Sequence, residues 1–379
     1  MTARRFSATR FRAVLVKEFI QMLRDRLTFA MMVGIPIMQL IMFGYAINAD
    51  PRALPTAVVV ADNGTFARSI VRALENTTYF RVVAWPDSPD EAGEMLARGD
   101  VQFVVDIPTD FSRRLQRGEK PALLVEADAT DPVATGNALA ALAQLNQTAL
   151  VHDLTGPLRS LQPGDPPFEV RIHRRYNPEG VTEYNIVPGL MGTILTMTLA
   201  MLTAVAVTRE FERGTMENLL ATPVRPLEVM LGKIIPFVLV GFVQMCVILG
   251  TAVLLFHVPM VGSLLLLIGC VAVFIAANLA MGFTFSTLAR SQMQAMQMSM
   301  FFFLPSMLLS GFMFPFRGMP EWAQWLGELL PLTHFLRIVR GILLKGNGAA
   351  EVLPQLWPIA LFLLVVATIA LRRYRQTLD

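Results

Sequence analysis

Six stretches of this chain, at about 29–49, 186–207, 234–256, 262–288, 296–315 and 357–371, contain no acidic or basic side chain. They are on the scale of a bilayer, because a helix rises about 1.5 Å per residue and ~20 residues match a hydrocarbon core ~30 Å thick. The expected fold is therefore a polytopic α-helical membrane protein with six transmembrane helices. The missing charges also limit the mechanism. Proton- or sodium-driven pumps keep a carboxylate, histidine or lysine at membrane depth as a relay. None stands in these stretches, so a transported solute would draw its energy from a partner. Composition agrees: 54% of residues are hydrophobic and 16% charged, against roughly 45–50% and ~25% in soluble domains. The net charge of +3 gives no reason to expect nucleic-acid binding.

Lysine and arginine set the expected orientation. Residues 1–28 hold Arg4, Arg5, Arg10, Arg12, Lys17, Arg24 and Arg26, and the tail holds Arg372, Arg373 and Arg375. The loop after the second stretch adds Arg209, Arg213, Arg225 and Lys233, whereas the connection near 257–261 has neither residue type. By the positive-inside rule both termini are cytosolic and residues 50–184 lie outside. Arg317, Arg337, Arg340 and Lys345 run against this count, since they fall on the outer side. Residues 1–28 contain no cleavage-like site, so the first span (29–49) is expected to remain as an anchor. Phe11, Val14, Leu15, Phe19, Met22 and Leu23 recur at helical spacing among basic residues. This pattern reads as an amphipathic helix on the cytosolic membrane surface.

Residues 50–184 change character. Short β-branched runs near 57–61, 80–84, 101–106 and 122–127 alternate with helical stretches near 66–76, 89–98, 110–117 and 132–154. Alternation of this kind implies a small α/β domain with a mixed or parallel sheet, inserted between the first and second spans. Ser88-Pro89-Asp90-Glu91 is a capping box with proline at the first helical position. Asp106, Asp110, Glu126, Asp128 and Asp131 read as solvated loop and cap residues rather than an acid–base pair.

No catalytic set emerges. There is no G-x-x-x-x-G-K-[ST] phosphate loop, no H-E-x-x-H and no C-x-x-C, and the four histidines are scattered. The two cysteines, Cys246 and Cys270, sit inside apolar stretches. Catalytic, cofactor-binding and metal-binding residues are accordingly all expected to be absent. The most specific run is Arg209-Glu210-Phe211-Glu212-Arg213-Gly214-Thr215-Met216-Glu217-Asn218-Leu219-Leu220-Ala221-Thr222-Pro223. Gly214 can end the incoming helix in a left-handed cap, Thr215 can N-cap a short new one, and Pro223 stops it. The product is a short charged helix at the cytosolic ends of two spans. It is either a plain interfacial turn or a knob that a cytosolic motor grips.

The run from Glu210 to Pro223 resembles the coupling region of type-2 ABC exporter permeases. The later residues Leu309-Ser310-Gly311-Phe312-Met313-Phe314-Pro315, then Met319-Pro320-Glu321-Trp322, Leu330-Pro331-Leu332-Thr333-His334-Phe335-Leu336 and Arg340-Gly341-Ile342-Leu343-Leu344-Lys345-Gly346, resemble the same family. The resemblance extends over nearly the whole chain and is strongest over 182–345. It implies the domain plan 1–28, 29–49, 50–184 and a five-helix domain 185–379 with a coupling helix at 209–223. It also implies short re-entrant helices on the outer side at 311–346, which would explain the basic residues found there. Glu210, Glu212, Arg213, Gly214, Thr215, Glu217 and Pro223 are the implied ATPase-coupling residues. Gly311, Pro315, Pro320, Pro331, Arg340 and Gly341 mark the implied re-entrant segment. The resemblance further implies a dimer, homo- or heteromeric, with cytosolic ATPase subunits carrying ATP and magnesium. A periplasmic adaptor and a bacterial inner-membrane location go with the large outer domain.

Polar residues within or beside the spans, Gln244, Asn278 and Gln297, could face a substrate path or bond helix to helix. The sequence thus points to the permease of an ATP-driven exporter moving an amphipathic or hydrophobic, drug-like substrate. The alternatives are a sensor or envelope scaffold working through the outer domain, and an intramembrane hydrolase. The last is disfavoured, because no histidine or aspartate pair lies at membrane depth.

Overall fold

In a computed structural model the chain is described over residues 51–62, 64–154, 166–212 and 226–376. The surface helix expected in 1–28, the first span expected at 29–49 and the expected coupling residues Arg213, Gly214, Thr215, Glu217 and Pro223 lie outside these residues. The same holds for the side chain of Glu210.

Residues 54–175 build a five-stranded sheet. Its strands are β1 (Leu54–Val60), β2 (Phe80–Ala84), β3 (Phe103–Ile107), β4 (Ala122–Asp128) and β5 (Glu169–Arg175). Their order is β2-β1-β3-β4-β5, parallel throughout except for the antiparallel β3–β4 pair. Parallel neighbours need a crossover connection, and helices α1 (Thr65–Asn76), α2 (Pro89–Arg98) and α4 (Pro132–Thr148) supply it, while α3 (Phe111–Gln116) lies in the connection of the antiparallel β3–β4 pair.

Alternation along each strand sorts the faces. Leu54, Val58, Phe103, Val105, Ile107, Leu123 and Val125 point one way, into a core completed by Ile70 and Leu74 of α1, Phe111 and Leu115 of α3, and Leu142 and Leu145 of α4. Burying one such side chain contributes about 1.5–3 kcal/mol. Phe168 packs edge-on against Phe111 with ring centroids 5.8 Å apart, which draws in the start of β5. The opposite face carries a smaller cluster where Leu96 and Ala92 of α2 cover Ala57, Val59 and Val104.

Ser88 accepts from Glu91 N (3.2 Å) as a capping box requires, but the Glu91 carboxylate reaches Asp87 N rather than Ser88 N. The helix expected over 132–154 stops at Thr148. β5 was not among the expected strands.

The rest is helical: α5 (Glu183–Glu212), α6 (Pro226–Leu254), α7 (Leu264–Leu288), α8 (Gln292–Leu309), α9 (Glu321–Glu328), α10 (Pro331–Arg340) and α11 (Ala349–Gln376). A π-turn, Gly341–Lys345, follows α10. Four of these helices, within α5, α6, α7 and α11, are long and apolar enough to cross a membrane. The fifth expected stretch, 296–315, begins earlier, at Gln292, and its helix ends at Leu309. Three glutamines in its first two turns lower its apolar character.

The bundle is built around α5, α7 and α10. Phe274 stacks on Phe335 at 3.9 Å and 5°. At Gly282, α7 comes so close to α5 that an added Cβ would lie 2.5 Å from the Ala200 carbonyl oxygen. Only 22% and 17% of the spans in α6 and α11 are buried, so their leucines and valines point outward. This is the arrangement that suits lipid contact.

Candidate functional site

The densest polar structure lies where the α/β domain meets the segment 311–346. Gly311 takes φ of 81°, a left-handed conformation that glycine adopts freely, and turns the chain sharply after α8. Pro315 precedes a 3-10 turn (Phe316–Gly318), Pro320 precedes α9, and Pro331 stands at the first position of α10. Each proline is used where its missing N–H costs nothing. The turn also frees the Gly311 carbonyl, which accepts from both Nη atoms of Arg340 at 3.3 Å. Arg340 donates further to Asn185 Oδ1 (2.9 Å), and Asn185 Nδ2 donates to the Thr130 carbonyl (3.1 Å). One guanidinium therefore links the end of α10, the start of α5 and the loop after β4.

A second link is ionic. The π-turn accommodates one extra residue and ends with Lys345, whose Nζ lies 2.5 Å from Asp128 Oδ2. Both side chains are about nine-tenths buried, so Asp128 is not the solvated loop residue that the sequence suggested. Its other oxygen accepts from Thr130 N and Oγ1. Lys345 also donates to the Leu96 carbonyl (3.2 Å), and Asn347 Nδ2 donates to that of Ala97 (3.2 Å). These are carbonyls at the C-terminus of α2, where the helix dipole favours positive charge. The Tyr176 ring, 5.2 Å from Nζ, closes the shell. Asp131 does act as a cap, accepting from Val133 N and Ala134 N. Burial pushes its carboxyl above the ordinary range, against the opposing pull of Arg340 and these donors. The residues enclose a cleft of about 400 Å³ between the α/β domain and α10.

Gly311, Pro315, Arg340 and Gly341 all line this cleft, whereas Pro320 and Pro331 shape the helices behind it. Sequence reading missed Lys345, Asp128 and Asn185 as participants. The signal available was a lysine in the same segment whose other basic residues already violated the positive-inside count.

At the opposite end of α5 the described hydrogen bonds run to Gln292. Glu212 accepts from Gln292 N (2.8 Å) and Gln292 Nε2 (2.5 Å), and Arg209 Nε donates to Gln292 Oε1 (3.2 Å). The Gln292 side-chain and backbone donors hold the exposed Glu212 carboxyl below its ordinary range. This ties the end of α5 to the first turn of α8, next in sequence to the segment that contains the other residues expected to couple.

The three residues expected beside a path divide. Gln244 Oε1 accepts from Thr198 Oγ1 at 2.9 Å, a bond between α6 and α5. Asn278 Nδ2 donates within its own helix to the Phe274 carbonyl, and its buried Oδ1 has no hydrogen-bond partner among the described residues. The same holds for Gln297 Oε1 on α8 and for Thr196 and Thr203 Oγ1 on α5. The structure does not bring Gln244 into a common site with the other two. Among the described residues no group of histidine, cysteine or carboxylate side chains could hold a metal ion.

The family model for an ABC-2 family transporter protein matches residues 26–372. "Probable multidrug ABC transporter permease YbhS" of Escherichia coli (strain K12) is 30% identical over 343 residues, 89% of each chain. "Probable multidrug ABC transporter permease YbhR" of the same organism is 27% identical over 360 residues, 95% of this chain and 96% of the relative. "Inner membrane transport permease YhhJ", also from Escherichia coli (strain K12), is 30% identical over 344 residues, 86% of each.

Proposed function

Because this chain belongs to the ABC-2 family of transporter proteins, we propose that it is the membrane subunit of an ATP-driven exporter. As a permease of this family it is a multi-pass transport component rather than an ATP-hydrolysing subunit. Its cargo on this reading is amphipathic or hydrophobic and drug-like, in keeping with the multidrug names of its relatives. Two such subunits pair, both termini face the cytosol, and the α/β domain stands outside the inner membrane, where a periplasmic adaptor can meet it. ATP and magnesium bind to a separate cytosolic subunit.

One observation carries the coupling part. The charge-rich residues 209–223 join two long helices, α5 and α6, at the end remote from the α/β domain. A motor that closes on ATP needs a protruding element to push, and charged contacts fix its register. Force received there enters α5 directly and reaches α8 through the Glu212–Gln292 bonds. Alternating access then follows from movement of α5 and α8 at that end, while the other end of α5 stays fastened to the α/β domain.

Reversing Glu212 and Glu217 to lysine tests this. Abundance in the membrane should be retained, because Glu212 is exposed and Glu217 lies in a charge-rich stretch outside the apolar spans. Substrate efflux and co-purification of the ATPase should fall sharply. Normal efflux at normal abundance would move the coupling site elsewhere.

A further inference from the structure

The cleft between the α/β domain and the 311–346 segment is not absorbed by the coupling mechanism. Its volume of about 400 Å³ falls within the ~300–1,000 Å³ range of ligand clefts. Five basic side chains line it: Arg98, Arg317, Arg337, Arg340 and Lys345. Three are neutralised by carboxylates, Arg98 by Asp100 (3.1 Å), Arg337 by Glu328 (2.5 Å) and Lys345 by Asp128 (2.5 Å). Arg340 hydrogen-bonds only to neutral acceptors, a carbonyl and an amide, and its buried Nε has no hydrogen-bond partner among the described residues, while the Asp131 and Asp128 carboxylates act on it electrostatically. Arg317 has neither an ion pair nor a hydrogen bond among the described residues. It stands within electrostatic reach of Arg337 and Arg81, with Glu328 and Asp100 opposing them.

Of the remaining acids in the lining, Asp131 caps a helix and offsets part of the Arg340 charge, and Glu351 accepts from Gly348 N (2.8 Å), so Arg317 is the cation in the lining with neither a hydrogen bond nor an ion pair among the described residues.

An apolar groove of about 240 Å³ adjoins the cleft and shares Asp131 and Pro315 with it. Val133, Ile186 and Met313 line the groove and stay 56%, 42% and 50% exposed. The Arg317 guanidinium beside uncovered apolar side chains makes a surface with two chemistries. The place matters as well. The groove flanks the first turn of α5, where an apolar span begins, and α9 nearby presents exposed Trp322 and Trp325. Indole rings favour the level of lipid headgroups.

We infer that this cleft binds the phosphate headgroup of an anionic amphiphile whose apolar chain lies in the adjoining groove. Arg317 supplies charge-assisted hydrogen bonds to the phosphate oxygens, and Arg340 stands behind it in the lining. Val133, Ile186 and Met313 cover the chain nearest the headgroup. The inference concerns binding alone and does not depend on the direction of transport. The phosphate could come from a membrane lipid or from free solution, and the groove decides between them.

Native mass spectrometry of the full chain from a neutral detergent tests the assignment. The probes are phosphatidylglycerol, phosphatidylcholine with the same acyl chains, and inorganic phosphate. Phosphatidylglycerol should be retained at about tenfold lower concentration than phosphatidylcholine. Arg317 is exposed, so Arg317→Gln should fold normally while abolishing most of that preference. Met313→Glu should weaken retention of phosphatidylglycerol and leave inorganic phosphate unaffected. Equal retention of the two lipids by the parent chain would overturn the proposal. So would a preference that survives Arg317→Gln, or tight phosphate binding with phosphatidylglycerol indifferent to Met313→Glu, which would reduce the cleft to a simple anion site.

Discussion

The two ends of α5 are fastened in different ways. Near Glu183 the helix is joined to the α/β domain and to α10 through Asn185, with a buried lysine–aspartate pair and a guanidinium knot close by. Near Glu212, a helix length of roughly 45 Å away, the described contacts are a few hydrogen bonds between exposed side chains and Gln292. Buried, satisfied polar networks resist rearrangement, because each broken bond strands a group out of reach of water. Exposed bonds exchange with water at little cost. A permease that changes shape under an external motor benefits from this asymmetry. On the proposed reading, the fastened end would keep the α/β domain and the 311–346 segment together while movement starts at the other.

The sharpest way to break this comparison is at Lys345. Replacing it with alanine leaves Asp128 buried without its counter-ion and uncaps the carbonyls of α2. The expected cost is about 3–5 kcal/mol, read as a lowered thermal midpoint of the purified chain in detergent. Hydrogen exchange should rise first at 96–99 and 128–131. The double replacement Lys345→Met with Asp128→Leu should recover most of the loss, since a pair of apolar residues can substitute for a buried ion pair. A single Lys345→Ala with an unchanged midpoint would mean that the junction is held by Arg340 and Asn185 alone.

A second test sharpens the contrast by weakening the α/β domain away from the junction. Asp62 accepts from Gly64 N (2.6 Å) and from Ser112 N at the start of α3. Burial alone would raise its carboxyl, but these donors prevail and hold it below the ordinary value of 3.8. A depressed folded value means stabilisation that is present above the ordinary value and is lost as pH falls through the lower one. Asp62→Asn should cost about 1 kcal/mol at neutral pH, discounted for partial exposure. The difference from the parent should begin to shrink once pH falls below about 4 and vanish below the depressed folded value. Faster exchange should be confined to 62–64 and 111–116, with 128–131 unaffected. Spread of the effect to the junction would mean that domain and latch unfold together.

Much of this was legible before any coordinates. The α/β domain declares itself because period-2 and period-3.6 patterns alternate between clear turn signals, so four strands and four helices were expected close to where they occur. β5 was missed for a physical reason. Glu169, Arg171, His173 and Arg175 dominate its sequence, as suits a sheet edge that must not pair with another chain. The prolines in 311–346 correctly marked broken helices. In α11, by contrast, Pro354 and Pro358 concealed helix preceding the apolar run 357–371. The junction itself was not legible. Lys345 and Asp128 are separated by 217 residues, and nothing local to either predicts the pairing. Asp128 looked like a solvated loop acid because in sequence it sits among other acids and turn residues. Only the tertiary fold, which brings the end of β4 and the end of α2 to the π-turn, turns it into a buried partner.

The smallest expected effect lies at the loosely fastened end. Glu212→Gln keeps the shape of the side chain and removes its charge. It loses one of the two oxygens that accept from Gln292 and the favourable interaction of a carboxylate with the N-terminus of α8. Because the group is exposed, water replaces what is lost, and the thermal midpoint should not move measurably. The depressed carboxyl means that whatever the parent gains from this contact is lost on acidification through that low value, so the two chains should converge at low pH. Paired melts of Glu212→Gln and Lys345→Ala in one detergent at neutral pH make the comparison directly. A drop for Glu212→Gln as large as that for Lys345→Ala would show both ends of α5 to be fastened alike. Movement would then have to begin in the segment between α5 and α6, or at the α5–α7 crossing by Gly282, where the two helices leave no room for a side chain.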